Sequence, residues 1–150
     1  MTEILFFHLR GRTLEQVLPT LVERSLARGQ KVVVQLGSED RLAAVDDHLW
    51  TYADDSFLPH VADREPDAAQ NPVVLTLGED NPNGAQVRIC GDGVRIPDAV
   101  ADYQRLVLIF DGDDAEALAA ARDDWRKVKA AGLAASYWQQ DEAGAWEKKA

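Results

Sequence analysis

Four short apolar runs constrain this chain more than any other feature: EILFFHL from Glu3, KVVVQL from Lys31, PVVLTL from Pro72 and RLVLIF from Arg105. Runs of this length, rich in β-branched and aromatic residues, read as strands; KVVVQL suits a buried parallel strand and RLVLIF another buried one. Helical patterns fall between them. Thr13 offers an N-cap with Gln16 as its capping-box partner, and Leu14, Val17, Leu18, Leu21, Val22 and Ser25 share one face of a helix that reaches about Arg28. Pro19 is expected to kink that helix or shift its start. Ser38 can cap a second helix through Trp50, and a third is expected from about Asp113 to Ala131. NPNG at Asn81–Gly84 reads as a turn answered by a strand, QVRIC, from Gln86. Val61–Asn71 reads as a surface loop, and ASYWQQ with AWEKK as a closing hairpin at a sheet edge. Strand, helix, strand, helix is an α/β pattern: a mostly parallel sheet flanked by helices, in a single domain over 1–150.

Size and charge narrow the function. A chain of 150 residues, 46% hydrophobic and 28% charged, suits one folded domain with a real core. No apolar run approaches the roughly 20 residues of a membrane helix. The opening MTEILFFHLRGR lacks the basic-then-apolar layout of a secretory signal, and a lone cysteine, Cys90, cannot staple the fold, so a reducing cytoplasm is expected. A net charge of −10 argues against a broad grip on phosphates. Work near DNA would then run through another protein.

Little in the chain points to chemistry. DDHLWTYADDSFLPH, Asp46–His60, gathers two histidines and four aspartates. His48 and His60 lack the i, i+4 spacing that lets one helix face hold zinc, so no metal site is expected there. The turn at Gly37–Ser38 follows a strand and opens a helix, where nucleotides sit in α/β folds, but it has neither a P-loop nor a dinucleotide fingerprint. Asp111 ends a strand within FDGDD; aspartates so placed can hold magnesium, yet they also cap the next helix. Cys90 reads as a small buried hydrophobe. No catalytic residue and no cofactor is assigned.

The third helix is more informative. Indexed at about 100° per residue, Ala117, Ala121 and Val128 form a small-residue face for packing. Glu116, Asp123 and Asp124 point to a side expected to be solvated. Arg122, Arg126 and Lys129 fall on a third side, near Leu118, Trp125 and Leu133. Cations around apolar side chains suit an acidic ligand with an apolar end. The bland alternative is a solvated face of Asp–Arg pairs, each worth little.

Several pieces together carry a resemblance: FFHL in the first strand, Leu49-Trp50 followed by Ser56-Phe57-Leu58-Pro59-His60, and the arginine-bearing helix ending AAGL at Ala130–Leu133. In order and spacing the chain resembles the chi subunit of bacterial DNA polymerase III holoenzyme. The resemblance implies a Rossmann-like α/β fold without nucleotide chemistry. It implies a non-catalytic replisome adaptor that links the clamp-loader complex to single-stranded DNA-binding protein by holding that protein's acidic, Phe-ended C-terminal tail. Arg122 and Arg126, with Lys129, match the basic tail-binding positions, and DNA is met only indirectly. Some relatives carry a Lys where this chain has Leu118, a departure that bears on the strength of tail binding rather than its place. Trp50 and Phe57 match the surface that receives psi or a helicase. The readings that compete with it are a small nucleotide-binding domain or enzyme using Asp111 and the Gly37–Ser38 turn, and a bare structural domain.

Overall fold

Strict alternation in β1 (Glu3–Leu9) sends Ile4 and Phe6 to one face of the sheet and Phe7 and Leu9 to the other. The same division recurs along the other central strands, so two separate cores form, one on each face. The computed structural model describes residues 2–51, 60–62 and 68–150. Its remaining strands are β2 (Val32–Gln35), β3 (Val61–Ala62), β4 (Val73–Thr76), β5 (Val87–Cys90), β6 (Arg105–Asp111), β7 (Ala134–Gln140) and β8 (Trp146–Lys148). They make one sheet in the order β3-β4-β2-β5-β6-β1-β7-β8. Every pairing is parallel except the closing β7–β8 hairpin at the edge. The α/β class and the edge hairpin agree with the sequence reading.

Helix α1 (Leu14–Ala27) starts where its capping box places it. Thr13 Oγ1 accepts from Gln16 N at 3.3 Å, and Gln16 Oε1 accepts from Thr13 N at 2.8 Å. The helix runs on through Pro19, so that residue does not displace its start. Helix α2 (Glu39–Thr51) packs beside it, with Ser38 Oγ accepting from Arg41 N. Leu14, Leu18, Val22, Leu42, Val45 and Leu49 fill the core on this side. Helix α3 (Ala115–Ala130) covers the opposite face over β6 and β7, seating Ala121 and Val128 there.

Two sequence expectations need correction. Val61 and Ala62 are not loop: they pair with β4 as a two-residue edge strand, too short to show a period. QVRIC does not answer PVVLTL across the NPNG turn. β4 and β5 both run parallel to β2, one on each side of it. The connection, residues 77–86, is therefore a crossover without a helix, tied down by side chains. Asn83 Nδ2 donates to the carbonyls of Val32 and Asn71, Asn81 exchanges hydrogen bonds with Ala85, and Arg88 grips the loop from within. No helix among the described residues is long and apolar enough to cross a membrane.

Candidate functional site

Asp114 fixes where α3 begins. Its carboxylate accepts from the backbone N–H groups of Glu116 and Ala117, while Asp111 accepts from the N–H of Asp113. The FDGDD aspartates are thus turn and cap residues. From that start, Leu118, Arg122, Trp125 and Lys129 recur at intervals of four, three and four, which puts them on one stripe of α3.

Trp125 anchors the stripe. Its ring meets Phe6 edge-on, centroids 5.3 Å apart at 82°, and Tyr137 edge-on at 5.8 Å and 87°. Such edge-to-face pairs are worth about 0.5–1.5 kcal/mol beyond their buried area. The ammonium of Lys129 stands 5.4 Å from the Trp125 ring centre, so Trp and cation form one surface. Leu118 and Trp125 pack partly into the core beneath, as does Leu133. Leu133 also walls an open groove of about 1140 Å3 at the C-terminal end of α3, with Lys127, Val128 and Tyr103.

The acidic residues of α3 answer the Asp–Arg alternative. Asp124 is not solvated as its wheel position suggested: it is 1% exposed and accepts from Arg95 Nε, Arg95 Nη2 and the N–H of Ile96. Asp123 pairs with Arg95 at 2.5 Å and Lys127 at 3.3 Å. Arg95 approaches from the irregular segment after β5, where no periodicity marks it. The carboxylates are thereby engaged away from the stripe. Arg122 and Arg126 are exposed and form no ion pair with any described residue.

Beneath Arg122 lies a polar pair that the sequence reading did not single out. His8 Nδ1 and the Tyr137 hydroxyl are hydrogen-bonded at 2.8 Å, with His8 also against the Phe110 ring. The alternation of FFHL, which puts His8 on the face of Phe6, was the available signal. Gly112 makes room: a Cβ there would lie 1.8 Å from His8 Nε2. Burial holds the His8 imidazole below its ordinary value of 6.5, helped by Arg10 and Arg122 and opposed by Asp113 and Asp111. Burial pushes the Tyr137 phenol up, with Arg122 opposing. The unfolded chain thus takes up the His8 proton more readily than the fold does. The stability contributed by neutral His8 is fully present above about pH 6.5 and is lost as pH falls below it toward the lower folded value. His8→Gln should flatten that part of the stability–pH curve, measured by urea unfolding. Arg122→Ala should move the His8 ring titration upward in NMR, and an unmoved titration would place the Arg122 charge elsewhere.

The crevice at the C-terminal strand ends has a different character. A cavity of about 280 Å3 there is lined by Arg12, Glu15, Arg41, Asp92, Asp111 and Asp114 among others. Arg41 bridges it, paired with Glu15 and, at 2.7 Å, with Asp92. Its guanidinium is engaged by carboxylates, and Glu39 and Asp40 occupy the first turn of α2 after Gly37–Ser38. Negative side chains at that helix start compete with a phosphate for the same dipole. Cys90 is fully buried, its thiol pushed up to about 12 by burial, which makes it a poor nucleophile.

Of the stretch Asp46–His60, His60 is buried, its Nε2 3.0 Å from the Asp46 carbonyl oxygen and from Asp46 Oδ1. Among the described residues no group of three or more His, Cys, Asp or Glu side chains is placed to hold a metal ion. Phe57 lies outside the described residues, and of Trp50 only its backbone place in α2 is described.

Comparison with known proteins extends the geometry. Residues 1–136 match the sequence model of a family described as DNA polymerase III chi subunit, HolC. The chain is also similar to the probable DNA polymerase III subunit chi of Rickettsia prowazekii (strain Madrid E). The two are 21% identical over 117 residues, which cover 74% of this chain and 71% of that relative.

Proposed function

This chain belongs to the DNA polymerase III chi subunit family, a replisome accessory family, and from that membership we propose that it is a non-catalytic adaptor whose α3 stripe holds the acidic C-terminal tail of single-stranded DNA-binding protein. In this reading it links that protein to the clamp-loader complex. Trp50 and Phe57 receive the second partner, psi or a helicase.

One observation supports the tail site above the rest. In a protein of net charge −10, Arg122 and Arg126 stand exposed without an ion pair among the described residues, beside a Trp–Lys surface. Carboxylates of an acidic tail can meet the two guanidinium groups through planar two-point contacts. A terminal Phe can rest against Leu118, Trp125 or Leu133. The protein's overall negative charge does not forbid this, because physiological salt screens exposed charges beyond roughly 8 Å.

Fluorescence anisotropy with a labelled tail peptide tests the reading. Binding should weaken as salt rises. Removing the peptide's last Phe should abolish measurable binding. Arg122→Ala should cost on the order of 1–3 kcal/mol, and Arg122→Lys should restore only part of it, since Lys lacks the fork. Equal affinity for the peptide with and without its Phe would remove the apolar half of the proposed site.

A further inference from the structure

Helix α1 leads from β1 to β2, and in the sheet β6 and β5 lie between those two strands. The chain passes from β7 to β8 by a tight turn rather than through a helix. On the face that carries α1, the cover over β1 and β7 comes instead from the indoles of Trp138 and Trp146, which pack against the core from its margin. A cavity of about 250 Å3 opens between them and α1. Leu5 and Val107 belong to its floor, and Leu21 to its helix wall. Leu5 shows the consequence: it sits mid-strand with β6 and β7 paired on either side, yet remains partly exposed.

The walls are pre-formed. Trp138 Nε1 donates to Ser136 Oγ at 2.9 Å, and the Trp146 ring lies 4.7 Å from that of Phe7. The charge at the mouth is one-sided. Every ionisable residue lining the cavity is an arginine: Arg24 from α1, Arg28 from its C-cap, and Arg105 from the start of β6. This happens in a chain with 26 acidic residues against 16 Lys and Arg. Arg105 is paired with Glu3, whereas Arg24 and Arg28, both exposed, form no ion pair with any described residue. They are four residues apart, so they stand one helical turn from each other.

We propose that this cavity is a second docking site, for an acidic segment of a partner protein that inserts one aromatic side chain between Trp138 and Trp146 while its flanking carboxylates pair with Arg24 and Arg28. Size argues for a single side chain rather than a free ligand, because pockets for drug-sized molecules run from about 300 to 1,000 Å3. Indole walls favour an aromatic anchor through edge and offset contacts. The arginine pair supplies the charge complementarity, with carboxylate partners drawn to two guanidinium groups that form no ion pair with any described residue, Glu3 being taken up by Arg105. The site lies on the face of the sheet opposite α3 and does not depend on the tail reading.

The probe is a fluorescein-labelled, C-terminally amidated peptide with one internal Phe flanked on each side by Asp and Glu, titrated with the full chain in low salt. The Arg24→Ala/Arg28→Ala double variant, exposed on the surface and expected to fold, should bind about tenfold or more weakly, as should a probe with Ala in place of Phe. The Arg122→Ala/Arg126→Ala variant should keep most of the affinity. In NMR the indole N–H signals of Trp138 and Trp146 should move on binding more than that of Trp125. The proposal fails if Arg24→Ala/Arg28→Ala binds like the unaltered chain, or if loss follows the α3 variant instead. It fails equally if phenylacetate alone binds as well as the peptide, or if no binding is seen at millimolar protein.

Discussion

Arg88→Met should destabilise the protein by about 2–4 kcal/mol, the largest single effect we expect from a residue outside the helices. The guanidinium is fully buried in β5. It donates to the carbonyls of Asp80 (2.9 Å) and Gly78 (2.5 Å), to Gln35 Oε1 (2.5 Å) and to the Tyr103 hydroxyl (3.0 Å). Three of these partners matter for topology. Gly78 and Asp80 belong to the crossover between β4 and β5, and Gln35 belongs to β2, which lies between them. Methionine fills much of the volume but leaves those acceptors without a donor. Each such loss costs about 1–3 kcal/mol, while removing a buried charge returns part of the sum. For a chain of this size the melting temperature should drop by roughly 5–15 °C. Arg88→Lys should recover only part, since one ammonium cannot reach four acceptors in a fork. Urea unfolding measures both variants, and a loss below about 1 kcal/mol for Arg88→Met would mean that the crossover holds itself.

Trp125→Ala should cost about 2–4 kcal/mol and remove tail binding with it, whereas Trp125→Phe should keep most of the stability. The ring is the keystone of an aromatic cluster in which Phe6 and Tyr137 stack at 12° and Tyr137 holds His8. Taking it away strips one wall from Tyr137 and the platform from Lys129. Denaturant unfolding with near-UV circular dichroism reads the first effect, and peptide anisotropy the second. If Trp125→Ala unfolds at the same denaturant concentration as the unaltered chain, the cluster contributes no packing.

What could be read from sequence follows from how local each signal is. The Thr13–Gln16 capping box and the strand Glu3–Leu9 are legible within a few residues, and both stand in the structure as read. The stripe of Leu118, Arg122, Trp125 and Lys129 is set by helix geometry alone. The partners of Asp124 are another matter. Arg95 reaches it from 29 residues away, out of a segment without a period, so a helical wheel could only send Asp124 to solvent. Arg88 drew no reading of its own within QVRIC, because the carbonyls that hold its buried charge lie in the helix-free crossover and carry no side-chain pattern. That same crossover is why β4 and β5 flank β2 instead of pairing. β3 is two residues long, below the length at which a strand leaves a pattern.

The proposed adaptor role rests on whether the exposed arginines on α3 hold an acidic tail. A calorimetric titration of the full chain with intact single-stranded DNA-binding protein tests this most directly, run in parallel with the Arg122→Ala/Arg126→Ala variant and with the partner lacking its C-terminal tail. The account predicts saturable binding for the unaltered pair, weakened by increasing salt, and no measurable heat in either control. Equal binding by the unaltered chain and the double variant would contradict it.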